Sequence, residues 1–208
     1  MFGKSILLGV AMAGSLGGYA VAKDGPIRGT IDSVTRSTLN ITETNGAKIS
    51  VALLPGVTVI DVVPGSLRDV TTGTYVGTAA MKQPDGTYRA LELQIFPASM
   101  AGVGLGTQPW NLKPHSTMTN GTVGGITNST GTVGAVSKTG ALSLQVNDGA
   151  GVKTVLLPTS APIVTFEAGS AADLKPGAHV MLFPKVAADG SLSTGRINVG
   201  KNGLVPPM

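Results

Sequence analysis

Two stretches of this chain repeat each other at a fixed spacing, and this constrains its fold more than any single motif. The first runs through Leu54-Pro55, Gly65-Ser66, Asp69-Val70, Gly73, Val76 and Asp85-Gly86. The second answers with Leu157-Pro158, Gly169-Ser170, Asp173-Leu174, Gly177, Val180 and Asp189-Gly190. From Gly65 to Ile95 the offset is a constant 104 residues, and upstream Leu39-Asn40-Ile41 matches Leu142-Ser143-Leu144 at 103. Self-similarity over such a length means two copies of one fold. The expected organisation is a first domain at 23–96, a linker at 97–118 and a second domain at 119–208.

Within each copy the hydrophobic period is two. Leu39 and Ile41, then Ile49, Val51 and Leu53, then Leu91, Leu93 and Ile95 alternate with polar or small residues. Leu142, Leu144 and Val146, Val155 and Leu157, and Ile197 and Val199 follow suit. Such alternation marks half-buried strands. Asn45-Gly46, Asp85-Gly86, Asp148-Gly149 and Asp189-Gly190 supply turns, because these residues tolerate positive φ. No window carries a helical period; Gly65–Val70 and Gly169–Leu174 have room for one helical turn each. The expected fold is all-β: two tandem small antiparallel barrels of OB-like type, five to six strands each, joined by the Gly/Pro-rich linker. Barrel closure suits a chain in which only 12% of residues are charged, since it removes exposed strand edges.

Residues 1–22 read as a secretory signal: Lys4, an apolar run at Ile6–Ala13, and Ala20-Val21-Ala22 before the expected cleavage. The run is too short for a membrane span of about 20 residues. No later segment approaches one. The expected location is therefore the periplasm, the cell surface or the extracellular space. With no cysteine there is no disulfide framework, so stability must come from cores. The formal net charge of +4 is small and its lysines and arginines are scattered, which argues against a nucleic-acid or anionic-membrane partner.

The linker holds the only tryptophan, Trp110, between Pro109 and Pro114. It suits either a plug between the two domains or an exposed ligand platform. The start of the second copy is ambiguous, because Gly121-Thr122-Val123-Gly124 recurs as Gly131-Thr132-Val133-Gly134. The extra ten residues, 127–136, are expected to form an added hairpin arm.

Both copies share the order G-T-I/V-x-x-V, a strand pair, L-P, a D-V/L-x-x-G turn and a D-G hairpin. Pro109-Trp110-Asn111-Leu112-Lys113-Pro114-His115-Ser116-Thr117-Met118-Thr119-Asn120-Gly121-Thr122-Val123 follows the first copy, and Val199-Gly200 to Pro206-Pro207-Met208 ends the second. In these features the chain resembles a family of tandem, secreted bacterial OB-like domain proteins known as a domain of unknown function. Relatives sometimes carry a metal ABC transporter permease label. The resemblance implies an OB-like fold and an exported location, and no activity. A permease role conflicts with a chain lacking spanning segments. The family's charged residues before Pro-Trp are replaced here by Leu105, Thr107 and Gln108, and Asn111 stands where Asp is common.

Catalytic constellations are not visible. Gly195 to Asn202 imitates a phosphate-binding loop, but Asn202 replaces the magnesium-binding Ser or Thr and no helix follows. Two histidines and no G-x-S-x-G leave a nucleophilic triad without support. Asp69 and Asp173, at equivalent places before turns, read as turn or cap residues. His179 and Met181 share a strand face, and His115 lies three residues before Met118; imidazole with thioether suits copper(I). The leading expectation is a non-catalytic exported binding protein without cofactor. Its partner is a protein, a glycan or a small ligand, held in an interdomain groove lined by Trp110, His115, His179 and Tyr75. The alternative is a structural subunit of an envelope or surface assembly that forms homo-oligomers through 119–136. The third is periplasmic copper or other metal handling through His179, Met181, His115 and Met118.

Overall fold

A computed structural model describes residues 25–129, 132–133, 136–137 and 141–208. The expected signal segment and the remainder of the 127–136 arm lie outside the described residues. The described chain is mostly β, as the alternation requires. Its first copy forms β1 (Ile27–Val34), β2 (Thr38–Glu43), β3 (Lys48–Pro64), β4 (Tyr75–Lys82), β5 (Tyr88–Ala90) and β6 (Leu93–Ile95). Next come β7 (Gly106–Trp110), β8 (Ser116–Ser129) and the ribbon of β9 (Thr132–Val133) and β10 (Val136–Ser137). The rest of the second copy is β11 (Ala141–Asn147), β12 (Val152–Leu157), β13 (Ile163–Ala168), β14 (His179–Leu182), β15 (Lys185–Val186) and β16 (Leu192–Gly200). Gly46 and Gly86 close the β2–β3 and β4–β5 hairpins at φ 87° and 83°, which their side-chain-free backbones accept. Single 3-10 turns at Leu67–Asp69 and Ala171–Asp173 fall where helical turns are expected. In the second, the Ser170 backbone N–H and hydroxyl both donate to the Asp173 carboxylate at 2.7 Å, a capping box.

The two copies do not close separately, as a tandem arrangement of 23–96 and 119–208 would have them. One closed ring runs β1–β2–β3–β16–β14 and back to β1, with β3 and β16 parallel. The other runs β8–β11–β12–β5–β4 and back to β8, with β12 and β5 parallel. Each ring takes three strands from one copy and two from the other. Pattern alone cannot distinguish this from tandem closure, because equivalent strands carry the same alternation and fit either ring. The connections at 65–74 and 169–178 decide it by carrying the chain across.

The rings join where the second half of β3 pairs antiparallel with β13. Val62 lies directly opposite Phe166 there, and these residues are themselves 104 apart, so a pseudo-twofold axis passes through the pair. The same pseudo-symmetry settles where the second copy begins. Gly29 pairs with Val180 and Gly121 with Val76, and Val76 and Val180 are repeat equivalents. Gly121-Thr122-Val123 is thus the counterpart of Gly29-Thr30-Ile31. Both glycines are required by close approach: a Cβ would lie 2.5 Å from the Thr42 carbonyl oxygen at Gly29 and 2.3 Å from that of Asn147 at Gly121.

Three apolar clusters hold this body. Ile31, Leu39, Ile41, Val51, Leu182 and Ile197 fill the first ring. Val76, Leu93, Val123, Leu144, Val146 and Val155 fill the second. Between them, Val62, Tyr75, Phe96, Val164, Phe166 and Met208 form a third cluster around the pseudo-axis. Burying each large side chain contributes about 1.5–3 kcal/mol. Residues 97–118 are more than a linker, since β7 adds to the edge of β8 from Gly106↔Asn120 to Trp110↔Ser116. Thr107 Oγ1 fastens it by donating to Asp148 Oδ2 at 2.7 Å, and Lys153 pairs with the same oxygen at 3.3 Å. No described helix is long and apolar enough to cross a membrane.

Candidate functional site

A cavity of about 220 Å³ opens beside the pseudo-axis, between the two rings. Its apolar wall is Phe96 from the end of β6, Phe166 from β13, Trp110 from β7, Met118 from β8, and Met181 and Phe183 from β14 and its end. Phe96 stacks on Phe166 at 5.1 Å and 29°, and Trp110 tilts against Phe183 at 6.1 Å. The polar wall is Gln94, Gln108, Asn120, Arg196 and Asn198. Burial holds the Arg196 guanidinium below its ordinary pKa. Its Nε–H donates to Asn198 Oδ1 at 3.4 Å, and no carboxylate pairs with it among the described residues. Trp110 Nε1 and Asn120 Oδ1 are buried without a partner. The amide orientation of Asn120 is fixed, because its Nδ2 donates to the Val103 and Gly104 carbonyls at 3.3 and 3.1 Å.

A second buried polar group stands beside this cavity, on the other side of the pseudo-axis. Arg28 lies 5.7 Å from the centre of the Trp110 ring; its Nη1 donates to Asn111 Oδ1 at 2.7 Å and its Nε to the Met208 carbonyl. Glu92 is wholly enclosed, with Oε1 accepting from Ala79 N at 2.6 Å and Gln94 Nε2 at 3.3 Å. Burial pushes its carboxyl up to about 7, although these two bonds and the Arg28 charge all draw it down.

Of the four residues expected to line a groove, only Trp110 lines this cavity. Tyr75 is buried against Phe96 at 5.5 Å and donates its hydroxyl to the Val103 carbonyl at 3.0 Å. His115 is exposed in a tight turn at φ 62°. His179 faces a separate cavity of about 250 Å³, lined also by Arg28, Thr30, Glu43 and Val205, and its Nδ1 lies 3.1 Å from Thr30 Oγ1. The soft donors are therefore divided: Met118 and Met181 line the first cavity, His179 the second, and His115 neither. No group of three His, Cys, Asp or Glu able to hold a metal occurs among the described residues. Lys201, from the phosphate-loop look-alike, pairs with buried Asp61 at 2.7 Å and with Glu167 at 3.6 Å, which explains its place in the seam.

Phe96, Phe166, Gln94, Arg196 and Asn198 are missed by the sequence reading. One signal points to the three polar ones. Glu92 and Gln94 have Arg196 and Asn198 as repeat equivalents, so both copies put polar side chains on the same strand face. That face reads as solvated, whereas the adjoining ring buries it: Glu92, Gln94 and Asn198 are 0%, 5% and 3% exposed. No family model, curated protein or solved structure matches the chain.

Proposed function

We propose that the protein is a non-catalytic, exported binding protein made of two OB-like barrels that exchange strands, and that it holds a ligand in the cavity between them. The observation that carries this reading is the cavity itself. It combines four aromatic side chains and two methionines with five polar ones at the junction of the rings. Binding sites favour such mostly apolar hollows with a few converging polar groups. The OB-like assignment is supported by the strand connectivity of each ring, in which the third and fifth strands run parallel and a short helical turn precedes the fourth. It agrees with the resemblance to secreted tandem OB-like proteins. A volume of about 220 Å³ lies under the range of drug-sized sites, about 300–1,000 Å³, so a small molecule or one projecting group of a larger partner is the matching occupant.

Native mass spectrometry of the protein isolated from its own host tests this. The expected result is a reproducible added mass that disappears in Gln108→Phe, which fills the mouth of the cavity. An unladen protein, or an added mass that Gln108→Phe retains, would overturn the assignment. A second reading, as a structural assembly subunit, draws on the β9–β10 ribbon, whose strands pair only with each other among the described residues. If that reading holds, deleting 127–136 turns an oligomer into a folded monomer.

A further inference from the structure

We propose that the ligand of this cavity is a small organic anion with a flat apolar body, its carboxylate held by Arg196. The inference rests on the cavity being a binding site and adds the chemical class of the occupant. It comes from comparing the two sides of the pseudo-axis. Arg28 and Asn120 are equivalent positions, each preceding the glycine that opens a copy; Glu92 and Arg196 are equivalent at the 104-residue offset. On one side the pair of positions holds Arg28 and Glu92, opposite charges that attract without forming an ion pair, Arg28 Nη2 and Glu92 Oε2 each lacking a partner. On the other it holds Asn120 and Arg196, so the guanidinium stays and the carboxylate is gone. A half-buried cation without an internal counter-charge costs stability unless something neutralises it.

The remaining chemistry of the cavity matches a carboxylate. The Trp110 Nε1–H has no acceptor, and the Gln108 and Asn198 amides add further donors in the same lining, whereas Gln94 Nε2 is engaged by Glu92 Oε1 and Met118 Sδ. A planar guanidinium takes a carboxylate through two parallel N–H···O bonds, the strongest geometry available to it. Phe96, Phe166, Trp110 and Phe183 offer ring faces and edges to a flat apolar body.

The experiment titrates the full chain with phenylacetate and with its uncharged isostere phenylacetamide, read by the emission of the single tryptophan, Trp110. Phenylacetate is expected to bind at least about tenfold more tightly, the usual advantage of a charge-assisted hydrogen bond. Arg196→Gln should bring phenylacetate down to the affinity of the amide without changing the amide, and Arg196→Lys should keep a preference for the anion. Thermal melting checks that the variants are folded; the wild-type ratio decides the question by itself if they are not. Equal binding of the two probes, or a preference that survives Arg196→Gln, overturns the anion assignment while leaving the cavity as a site. Failure of both probes to alter Trp110 emission overturns the anion assignment, and persistence of a host-derived mass would still support the cavity.

Discussion

Replacing Glu92 by glutamine should stabilise the protein above neutral pH and leave it unchanged in acid. The carboxyl sits wholly buried, with Oε1 bonded to Ala79 N and Gln94 Nε2 and Oε2 without a partner. Its pKa of about 7 in the fold stands above the ordinary 4.5 of an unfolded chain. Between those values the folded state keeps a proton that the unfolded state has released, so stability falls as pH rises through that window. Below about 4.5 both states are protonated and the term vanishes; above about 7 it reaches its limit. The gap corresponds to about 3 kcal/mol at 1.36 kcal/mol per pKa unit. Glutamine keeps an acceptor for the same two bonds and carries no charge at any pH. Urea unfolding of wild type and Glu92→Gln, at about pH 4 and about pH 8, should show near-equal stability in acid and a variant about 3 kcal/mol more stable in base. Taking the difference between the two proteins cancels the exposed carboxylates, such as Asp173 and Asp189, whose lowered pKa values act in the opposite direction. A difference that stays flat across this range would mean Glu92 titrates as a solvated group, and the junction beneath Trp110 would then have to be open to water.

The exchanged strands make a different demand. Cutting the chain within 98–105 should leave two fragments that co-elute in size-exclusion chromatography, and neither piece expressed alone should unfold cooperatively; two independently melting halves would contradict the pairing. Phe166→Ala, at the pseudo-axis, should cost about 3–5 kcal/mol in chemical denaturation, because it empties the stack against Phe96 and loosens both rings together. Gly200→Ala should free the segment beyond it, seen as faster amide exchange over 201–208. The φ of −73° suits alanine, but its Cβ would lie 1.7 Å from the Leu204 carbonyl oxygen.

What the sequence made legible was local. Alternation at Leu39-Asn40-Ile41 and Leu142-Ser143-Leu144 required strands, and Asn45-Gly46 and Asp85-Gly86 required turns, because both depend on neighbours along the chain. Strand partners depend on distance and on the direction of the 65–74 and 169–178 connections, which no hydrophobic period encodes. The candidate site suffered from the same gap. Trp110 was noticeable as the lone tryptophan between prolines. Arg196 and Asn198 read as the solvated side of a half-buried strand, and only the neighbouring ring turns that side inward. His179 and Met181 share a strand face in the alternation, yet they serve different cavities, because the exchange sets Arg28 and Thr30 against β14 and the junction against Met181.

Fusion of the two copies in one chain explains why a single asymmetric cavity is possible at a pseudo-twofold junction. In a symmetric pair of separate subunits, every position beside the axis is duplicated, so a cation on one side is accompanied by an identical cation on the other. Covalent linkage removes that restriction. On one side, Arg28 and Glu92 attract as opposite charges, and Arg28 also holds Asn111 and the Met208 carbonyl, tying β1 to residue 208 and to the segment after β7. On the other, Asn120 is occupied with the Val103 and Gly104 carbonyls, and Arg196 is left with one long bond to Asn198. The same pair of positions thus carries both signs of charge on one face of the axis and only a guanidinium on the other. Had Arg196 been glutamate, like its equivalent, the cavity would repel an anion; had Asn120 been aspartate, Arg196 would have an internal counter-charge. The anion preference we propose for the cavity thus rests on two departures from the repeat, Asn120 in place of arginine and Arg196 in place of glutamate.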